Sequence, residues 1–497
     1  MVGKDRISDV DFLTKHGKFL ANSGPSGFYY FLLSVLALPF WLFLLAPFAL
    51  LTYPLKFFGK KPKAPKALEP LAAPEQITPL AERKYDLVLY GATGFTGQLC
   101  AQYLIKQYGN SIKWAVAGRN QAALVKVLAE ANKKASTDYT IDILVGDSSK
   151  PDSLRPIVDN TRVLISTVGP FDLYGTPVVN LCAVYGTSYC DITGESDWVR
   201  KMIDNFDATA KSTGARIVHF CGHDCVPWDL AVYSVAKELS EKFNQKLTKV
   251  DCYDEILGAG SGGTFATLLH SLSGRVQYKS QLGYDPLMKP ADGMPATAKG
   301  ASVSSTDPKN QSILSYNKKA LGGLGAWVGP FVMAMVMANC IRRSNAVNQY
   351  SGDNKLRYYE GRIYPSFFAG FVDLVYMIIF GTCLQSPVLT DLLYRFVLPK
   401  PGEGPSDQLL SDGFLRLTAV GTGNAGAQVQ ATIYFDNDPG YKDTARMLVE
   451  SGLALALNAE EITVGGGVWT PAACQKETLL KRLVATGTKF EIKALNQ

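Results

Sequence analysis

The sequence predicts an α/β protein: a doubly wound parallel sheet, joined to a second, α+β domain and preceded by an apolar N-terminal segment. Three observations lead to this prediction. Strand-like and helix-like stretches alternate over residues 84–225, as they do in doubly wound sheets. Three glycines at fixed spacing separate the first strand of this region from its first helix. A long run without charged residues lies upstream of both.

The glycine turn is the most informative motif. An apolar run, Tyr85 to Tyr90, precedes it, and a helix-like pattern follows from Gln98 to Tyr108. In Rossmann-type units the first glycine allows a tight turn, the second lets backbone approach a pyrophosphate, and the third lets the helix pack on the strand. The helix N-terminus then attracts the phosphates. The alternative is a glycine-rich turn in another kind of α/β protein. The residues predicted to bind a dinucleotide here are Gly91, Thr93, Gly94, Phe95, Thr96 and Gly97.

The end of the second strand indicates which dinucleotide is bound. The segment from Lys113 to Asn120 is strand-like and carries Arg119 where NAD-specific proteins usually place a carboxylate. A guanidinium can form paired hydrogen bonds with a 2′-phosphate. We therefore predict NADP(H) rather than NAD(H), with Asn120 and Asp147, which follow strands two and three, in the same site. The alternative is that Arg119 only ends a strand and faces water.

Composition narrows the class of protein. At 497 residues, the chain has room for two or three domains. Hydrophobic residues make up 47% and charged residues only 19%, which is apolar for a soluble enzyme and indicates membrane contact. The net charge of +6 and the lack of a nucleic-acid motif argue against a nucleic-acid partner. Nine cysteines without a pairing pattern fit a reducing compartment.

Residues 1–57 are predicted to anchor the chain to a membrane. The segment from Phe28 to Leu55 has no charged residue and is long enough to cross a hydrocarbon layer about 30 Å thick. Pro39 and Pro47 would either kink one helix or form a hairpin within one leaflet. Basic residues on both sides favour a hairpin or monotopic insertion with a cytosol-facing enzyme. Residues 58–83, rich in Pro and Lys, are predicted to form a linker.

The remaining chain divides into three predicted regions. Residues 84–225 form the dinucleotide-binding domain and residues 226–440 an α+β substrate domain. Residues 441–497 begin with a helix, from Tyr441 to Leu457, that is expected to pack back on the first domain. Within the substrate domain, segments 320–341 and 364–390 are strongly apolar. Each is expected to be a buried helix, an interfacial helix or an element that dips into a membrane.

The residues after the fourth strand are expected to lie near the reacting end of the cofactor. The carboxyl ends of parallel strands form the ligand crevice of such sheets. Val168, Gly169 and Pro170 follow the fourth strand and are predicted to line this crevice. Tyr174 is the nearest hydroxyl donor and is a candidate catalytic residue. The equal alternative is that Tyr174 only packs.

Two carboxylates follow the fifth strand. Asp191 and Glu195 flank a predicted turn and are candidates for an acid and a base, or for binding a cationic or hydroxylated substrate. The alternative is structural: Glu195 caps the following helix and Asp191 braces the loop. The nearby alternation of His and Cys resembles a metal site with four candidate ligands: His219, Cys221, His223 and Cys225. Residues on one face of a strand lie about 7 Å apart, which is too far for four ligands of one zinc ion, so no metal is predicted.

The chain resembles the saccharopine dehydrogenase-like oxidoreductase family, including its lipid-droplet-associated animal members and the mycobacterial trans-acting enoyl reductases. The matching motifs are spread from about residue 84 to the C-terminus, so the resemblance covers most of the chain. It implies a Rossmann domain, a second α+β domain, a nicotinamide cofactor, and the return of residues 465–473 to the interdomain region. The motifs are YGATGFTG (90–97), WAVAGRN (114–120), VGPFDLYGTPVV (168–179), YCDITGE (189–195), DCVPWDL (224–230) and GGGVWTPAA (465–473).

These features favour a membrane- or lipid-droplet-associated oxidoreductase that uses NADP(H) on an apolar, lipid-like substrate. The strand ends lack the clustered Arg and Lys that an amino acid with several carboxylates would need, so a saccharopine dehydrogenase of lysine metabolism is the weaker alternative. No Tyr-x-x-x-Lys proton relay follows the crevice strands. A non-catalytic membrane or lipid-droplet protein with a vestigial or nucleotide-sensing domain therefore also stays open. The expected location is a lipid droplet or the endoplasmic reticulum, and homo-oligomer formation is left open.

Overall fold

The computed structural model describes residues 25–55, 74, 76–258, 260–272, 314–318, 325–331, 333–352, 356–400 and 402–496. The first residues of the predicted anchor, most of the predicted linker, and residues 320–324 of the first apolar segment lie outside these ranges.

Fourteen strands form two separate sheets within the described residues. In chain order they are β1 (Tyr85–Tyr90), β2 (Trp114–Gly118), β3 (Asp142–Val145), β4 (Thr161–Ser166), β5 (Ser188–Asp191), β6 (Arg216–Val218), β7 (Leu247–Leu257), β8 (Ser315–Asn317), β9 (Ala326–Gly329), β10 (Arg357–Tyr364), β11 (Phe414–Gly423), β12 (Gln428–Phe435), β13 (Gly467–Trp469) and β14 (Lys489–Asn496).

The first sheet has the order β3-β2-β1-β4-β5-β6-β13 and is parallel throughout. The order of its first six strands is that of a Rossmann fold, and the strand-like runs Tyr85 to Tyr90 and Lys113 to Asn120 contain β1 and β2. The strands are apolar on both faces because helices cover both. The predicted α/β fold class is confirmed. The seventh strand, β13, comes from the end of the chain.

The second sheet has the order β14-β12-β11-β7-β10-β9-β8. Its neighbours are antiparallel except for the central pair of β7 and β10, which is parallel. Val250, Cys252 and Ile256 of β7 share one face and join the main hydrophobic core. This face therefore looks toward the first domain, and the opposite face carries Tyr253 and its own small cluster.

Helices connect the strands and cover the first sheet. In chain order they are α1 (Pro25–Phe40), a π-helical turn (Trp41–Leu45), α2 (Ala46–Thr52), α3 (Phe95–Gln107), α4 (Gln121–Ala135), a 3₁₀ turn (Pro151–Leu154), α5 (Arg155–Asp159), α6 (Phe171–Tyr174), α7 (Thr176–Tyr185), α8 (Ser196–Thr213), α9 (Val226–Phe243), α10 (Gly262–Leu272), α11 (Ala334–Asn348), α12 (Phe367–Gln385), α13 (Pro387–Phe396), α14 (Asp407–Asp412), α15 (Lys442–Leu457), α16 (Pro471–Cys474) and α17 (Lys476–Ala485).

Helix α15 is an integral part of the first domain. Leu448, Val449 and Leu453 pack in one core with the inner strands of the first sheet. A Cβ on Gly452 would lie 2.5 Å from Ile165 Cγ2, so the helix backbone approaches the sheet closely. Buried Glu450 accepts hydrogen bonds from the hydroxyl groups of Tyr103 (2.7 Å) and Tyr108 (2.6 Å) and from Arg482 Nε (2.8 Å). The sheet is thus closed on one face by residues from the end of the chain.

The N-terminal segment is helical without interruption from Pro25 to Thr52. Of the two predicted forms, a hairpin within this segment is therefore wrong. The π-helical turn, Trp41–Leu45, lies between Pro39 and Pro47. A proline cannot donate its backbone hydrogen bond and crowds the preceding turn, so a widened turn is a natural way to keep the helix continuous.

The two predicted apolar segments of the substrate domain differ in the structure. Segment 320–341 contributes β9 and the start of α11, whose residues Met337, Cys340 and Ile341 are buried in the main core. Its described part is therefore ordinary core rather than a membrane element. Segment 364–390 contains α12, which is long and apolar enough to cross a membrane, as is the helical stretch Phe31–Thr52.

Helix α12 and the N-terminal helix pack side by side. Phe31 meets Phe368 and Phe371 at ring distances of 4.9 and 5.1 Å. Further along, Trp41 Nε1 donates to Thr382 Oγ1 (2.8 Å), and Thr52 Oγ1 donates to Ser386 Oγ (2.7 Å). The two helices run in the same direction and, with α13, leave many large apolar side chains exposed. We call α1, the π-helical turn, α2, α12 and α13 the apolar layer.

Candidate active site

The glycine turn has the geometry of a phosphate cradle. Gly91 has φ of +95°, and a Cβ there would lie 2.5 Å from Val168 Cγ2. A Cβ on Gly97 would overlap the carbonyl oxygen of Gly91. Gly94 begins α3 and has open space around it, with only Gly91 O at 3.5 Å. The first and third glycines are thus required by the fold, whereas the second leaves room for a ligand at the helix N-terminus.

The other residues of the motif surround this cradle. Thr93 is exposed, and Thr96 is partly buried in the first turn of α3. Phe95 packs edge-on against Tyr441 at 5.3 Å, and a Cβ on Gly404 would lie 2.5 Å from the Phe95 ring. Phe95 therefore links the start of the helix to the C-terminal part of the chain. Its contacts are with protein, and its predicted cofactor contact stays a prediction.

Arg119 and Asn120 lie at the carboxyl end of β2, and both are exposed. Asn120 Oδ1 accepts a hydrogen bond from Ala123 N (3.1 Å) and caps α4. Asp147 lies beyond the end of β3. Its pKa is lowered chiefly by a hydrogen bond from the backbone of Ser149, and further by the positive charge of Arg119. Arg119 thus stands near Asp147 and can reach toward a ligand on this strand edge.

The turn after β4 lies directly against the glycine cradle. Thr167 N donates to Tyr90 O (3.0 Å), and Thr167 Oγ1 donates to Gly91 O (3.0 Å). These bonds hold Val168, Gly169 and Pro170 beside the first turn, and their predicted contact with the cofactor stays a prediction. A Cβ on Gly169 would lie 3.6 Å from Thr267 Oγ1 of α10. A helix of the second domain therefore reaches this turn.

Tyr174 and Glu195, two of the predicted catalytic residues, differ in their surroundings. Tyr174 ends α6 and is 40% exposed. Both carboxylate oxygens of Glu195 accept backbone hydrogen bonds, from Phe171 N (2.7 Å) and Asp172 N (2.9 Å). The Glu195 side chain therefore caps the N-terminus of α6 and makes no capping hydrogen bond to α8, the helix that follows it. These contacts favour a bracing role for Glu195, and acid–base roles for either residue stay predictions.

Asp191 forms a buried pair that the sequence did not reveal. Its Oδ2 lies 2.7 Å from His219 Nδ1, and neither side chain is exposed. Asp191 Oδ1 accepts from Thr193 N (3.2 Å). The His219 ring packs against Trp198 at 5.0 Å. Asp191 thus braces the ends of β5 and β6, and a catalytic role for it stays a prediction.

The loop between β6 and α9 faces the second domain. His223 stacks on Trp228 at 5.0 Å, and Trp228 stacks on Phe331 at 5.9 Å. Burial lowers the pKa of His223 below its ordinary value. His219 and His223 therefore have separate partners. Among the described residues, no group of three or more His, Cys, Asp or Glu side chains has metal-binding geometry.

The structure also brings together carboxylates that the sequence analysis missed. Asp224 in this loop and Asp254 and Glu360 of the second sheet interact electrostatically, and burial raises the pKa of each above its ordinary value. A signal was present in the sequence, because Asp254 occupies an inward position of β7 between the core residues Cys252 and Ile256. We call Asp224, Asp254 and Glu360 the acidic cluster.

A phosphate cradle on a parallel sheet, faced by a second sheet domain, defines a class of nicotinamide-dependent, two-domain oxidoreductases. Comparisons with known proteins identify the family within this class. Residues 87–218 match the saccharopine dehydrogenase NADP-binding domain. The chain is 36% identical over 419 residues to a candidate trans-acting enoyl reductase of Mycobacterium tuberculosis, covering 82% of this chain and 97% of that one.

Another relative and a solved structure are also similar to the chain. The trans-acting enoyl reductase of Mycobacterium bovis is 33% identical over 418 residues, covering 82% of this chain and 97% of that one. Among solved structures, apo saccharopine dehydrogenase (L-Glu forming) from Saccharomyces cerevisiae matches with a TM-score of 0.45 and 14% identity, over 82% of this chain and 99% of that one. The chain belongs to the saccharopine dehydrogenase-like oxidoreductase family, as its motifs predicted.

Proposed function

We propose that the protein is a membrane-associated, NADP(H)-dependent oxidoreductase that reduces an apolar, lipid-like substrate with a double bond conjugated to a carbonyl group. The family supports a nicotinamide cofactor, and the relatives' names support an enoyl substrate. The exposed apolar side chains of the apolar layer support a lipid-like substrate. The membrane in question is the cytosol-facing surface of a lipid droplet or of the endoplasmic reticulum.

The observation that carries the proposal is the position of helix α10. Its Phe265 meets Phe380 of the apolar layer at 6.0 Å. Two residues further on, Thr267 lies next to Gly169 at the cofactor edge of the first sheet. One short helix therefore joins the apolar surface to the turn beside the cradle. An apolar substrate that leaves a membrane along this helix would reach the cofactor without crossing water.

The contacts of α12 favour attachment to one leaflet rather than a full crossing. Its start packs on β9 through Phe367 and Trp327, whose rings lie 5.2 Å apart. Asp373 accepts hydrogen bonds from Tyr364 OH (2.6 Å) and Arg362 (3.2 Å) of β10. With the contact at Phe380, the helix lies along the substrate domain for most of its length. A helix held in this way presents its outer face to an interface.

The cofactor, when bound, supplies a hydride to the substrate. The chain's residues bind and orient it: the cradle takes the pyrophosphate, and Arg119 takes the 2′-phosphate. The turn at Val168, Gly169 and Pro170 supports the reacting ring. Buried Trp228 of α9 stacks on partly buried Phe331.

The first test is cofactor binding by a variant of the second glycine. Gly94→Val is expected to fold normally, because a Cβ at Gly94 meets only Gly91 O at 3.5 Å. It should abolish thermal stabilisation by NADPH and the NADPH-dependent reduction of a long-chain enoyl thioester supplied in phosphatidylcholine vesicles. The parent protein should be stabilised more by NADPH than by NADH.

The matched control is Gly465→Val. Gly465 also has open space around it, and it precedes β13 at the sheet edge opposite the cofactor. This variant should keep both cofactor binding and reduction. If Gly94→Val also kept both, the cradle would not bind the cofactor. If the parent bound NADPH but reduced no enoyl substrate, the substrate proposal would be wrong.

A further inference from the structure

Tyr441 joins three elements at the edge of the first sheet that carries the glycine cradle. Its side chain is buried, and it is the residue that caps the start of α15. Its ring packs edge-on against Phe95, the first residue of α3, at 5.3 Å. Its hydroxyl group accepts a hydrogen bond from Ser261 N and is hydrogen-bonded to Thr264 Oγ1 (2.7 Å). One buried side chain thus connects the start of the cradle helix, the start of α10 and the helix that covers the sheet.

The backbone of Tyr441 is fixed to the first domain. Its N–H donates to Asp438 Oδ1 (2.8 Å), and its carbonyl oxygen accepts from Ala445 N (2.8 Å) in the first turn of α15. From there α15 continues into the core of the first sheet. A tyrosine side chain has only two rotatable bonds before its ring. The position of the Tyr441 hydroxyl group is therefore set closely by the first domain.

Helix α10 is the element that this hydroxyl group holds. Thr264 and Thr267 are three residues apart and lie on the same face of the helix. Thr264 meets Tyr441, and Thr267 Oγ1 lies 3.6 Å from the Cβ position of Gly169 in the turn after β4. The helix therefore extends along the sheet edge from the start of α3 to the turn after β4. A dinucleotide on a Rossmann-type sheet follows the same path, from the helix N-terminus into the crevice at the strand ends.

The start of α10 is also confined on its other side. Gly262 N donates to Glu403 O (3.1 Å), and a Cβ on Gly262 would overlap the carbonyl oxygen of Lys400. These backbone contacts keep the helix in place if the hydroxyl group of Tyr441 is removed. Loss of the hydroxyl group is therefore expected to shift or loosen α10 without unfolding the protein.

The surroundings of the Tyr441 hydroxyl group suit a support rather than an acid or a base. Burial raises the pKa of Tyr441 above its ordinary value, so the group keeps its proton at neutral pH. Because Ser261 N donates to the hydroxyl oxygen, the proton can be shared with Thr264 Oγ1. Both contacts of the hydroxyl group are thus with α10.

We propose that Tyr441 is a positioning residue for hydride transfer: it holds α10 so that a substrate lying along this helix presents its double bond to the cofactor. The inference rests on the proposed function, in which α10 leads the substrate from the apolar layer. In the reaction, the β carbon of the substrate gains a hydride from the reduced cofactor, the π bond breaks, and the α carbon takes a proton from solvent water. Reacting atoms must approach to about 3–3.5 Å, and a displacement of about 1 Å can slow such a step about 100-fold.

The first test is Tyr441→Phe, which keeps the ring beside Phe95 and removes the hydroxyl group. With a long-chain enoyl thioester in phosphatidylcholine vesicles, kcat should fall about 10- to 100-fold, while the affinity for NADPH should be unchanged. The deuterium isotope effect on kcat, measured with NADPH deuterated at C4, should increase because hydride transfer becomes slower relative to binding and release. A loss of stability alone would not change this isotope effect.

Thr264→Val removes the same hydrogen bond from the side of α10. Thr264 is exposed, so valine is expected to be tolerated there. The variant should reproduce the lower kcat and the larger isotope effect of Tyr441→Phe. The double variant should lose less than the product of the two single effects, because the two residues share one interaction.

Tyr85→Phe is the matched control. Tyr85 is also buried, and its hydroxyl group also donates one hydrogen bond, to Asp142 Oδ2 (2.7 Å). It lies at the start of β1, at the end of the strand opposite the cradle. Tyr85→Phe should keep the kcat and the isotope effect of the parent.

Hydrogen–deuterium exchange provides a readout without cofactor or turnover. The backbone amides of α10 should exchange faster in Tyr441→Phe than in the parent, whereas those of α3 should exchange at the same rate. A Tyr441→Phe variant with the kcat, isotope effect and α10 exchange of the parent would overturn the inference and leave the proposed function standing. A parent that binds NADPH but reduces no enoyl substrate would overturn both.

Discussion

The carboxylates around the candidate site differ in what occupies their oxygens. Glu195 receives two backbone N–H groups and Asp191 receives a histidine and a backbone N–H. Such bonds hold a side chain in one position, which suits residues that shape a loop. Among the described residues, Asp254 and Glu360 instead have three oxygens without a hydrogen-bond partner, so their surroundings differ from those of Asp191 and Glu195.

Arg119 provides a test of cofactor choice. A bidentate bond between a guanidinium and a phosphate contributes roughly 1.5–3 kcal/mol. Arg119→Ala should therefore weaken NADPH binding about 10- to 100-fold while leaving NADH binding nearly unchanged, as measured by calorimetric titration. Lys150→Ala is the matched control, because Lys150 also acts on Asp147 from the surface. Equal losses for both cofactors would contradict the role of Arg119.

The raised pKa of Asp254 leads to a prediction about how the stability of the protein depends on pH. Its pKa is about 3.9 in an unfolded chain, and burial raises it to about 7 in the folded protein. Between these values the folded protein retains a proton that the unfolded chain has released, so stability falls as pH rises from about 4 to about 7. Asp254→Asn should remove this fall. At pH 8 the unfolding temperature of Asp254→Asn should exceed that of the parent, and the gain in the free energy of unfolding should be at most roughly 4 kcal/mol. At pH 4 the two unfolding temperatures should match.

Asp251→Asn is the control for this measurement and should show no such crossover, because Asp251 lies on the opposite face of β7 and pairs with Lys249. A gain for Asp254→Asn that was equal at pH 4 and pH 8 would mean that Asp254 is not protonated in the folded protein.

The sequence was informative about residues whose roles are local. Gly91 and Gly97 are fixed by contacts within the same turn, and their spacing alone predicts it. Asp191 pairs with His219, 28 residues away, and the charge of Asp224 acts on Asp254 and Glu360 from a distant part of the chain. Such contacts depend on topology, which a linear pattern does not contain. Asp254 was the most predictable of these residues, because it is a carboxylate at an inward position of β7, between the apolar inward residues Cys252 and Ile256.

At the scale of elements, the apolar layer joins distant parts of the chain. The stretch 25–52 and helix α12 each have too little contact with the rest of the protein to be ordinary core helices. Exposed Leu36, Phe43 and Leu51 are 71%, 77% and 79% accessible. An outward row of large apolar side chains marks an interaction surface, and its continuity with α10 favours a lipid surface over a protein partner.

Charges placed on this row should release the protein from membranes. Phe43→Asp with Leu51→Asp is expected to lower the fraction that floats with phosphatidylcholine–phosphatidylserine vesicles by at least about 10-fold, because burying a charge in lipid is costly. The control is Val125→Asp, which changes a half-exposed valine of α4 and should float as the parent does. Undiminished flotation of the double variant would show that the layer does not contact lipid.

Apolar composition predicted three candidate membrane elements, and the structure separates them by their surroundings. Segment 320–341 and segment 364–390 look alike in sequence, yet their helices differ in burial. The described part of the first segment contributes Met337, Cys340 and Ile341 to the main core, whereas α12 is mostly exposed among the described residues. Hydropathy reports the character of side chains and not what covers them. Asp373 is the one charged residue in α12. Its role in holding the helix against β10 is evident only from its hydrogen bonds with Arg362 and Tyr364.

At the scale of the whole molecule, the first domain is discontinuous. Strands β1 to β6 come from residues 85–218, and the helix that covers them and the seventh strand come from residues 442–469. Gly452→Val is therefore expected to destabilise the fold by about 1–3 kcal/mol, since a Cβ there would lie 2.5 Å from Ile165 and 2.7 Å from Leu87.

Gly452→Val should also weaken NADPH binding, because Leu87 belongs to the strand that leads into the cradle. Thermal unfolding with and without NADPH measures both effects. Gly465→Val, in open space within the same C-terminal region, should change neither. An unaltered unfolding temperature for Gly452→Val would mean that helix α15 does not pack closely on the first sheet at this position.

The late position of α15 has a consequence for biosynthesis. The glycine turn is translated more than 300 residues before α15, the helix that covers the strands beside it. One apolar face of the nascent sheet is therefore uncovered during most of translation. Binding of the dinucleotide by the complete domain therefore follows the synthesis of residues 442–469. A truncation anywhere before Lys442 removes both α15 and β13 and leaves the nucleotide-binding domain incomplete.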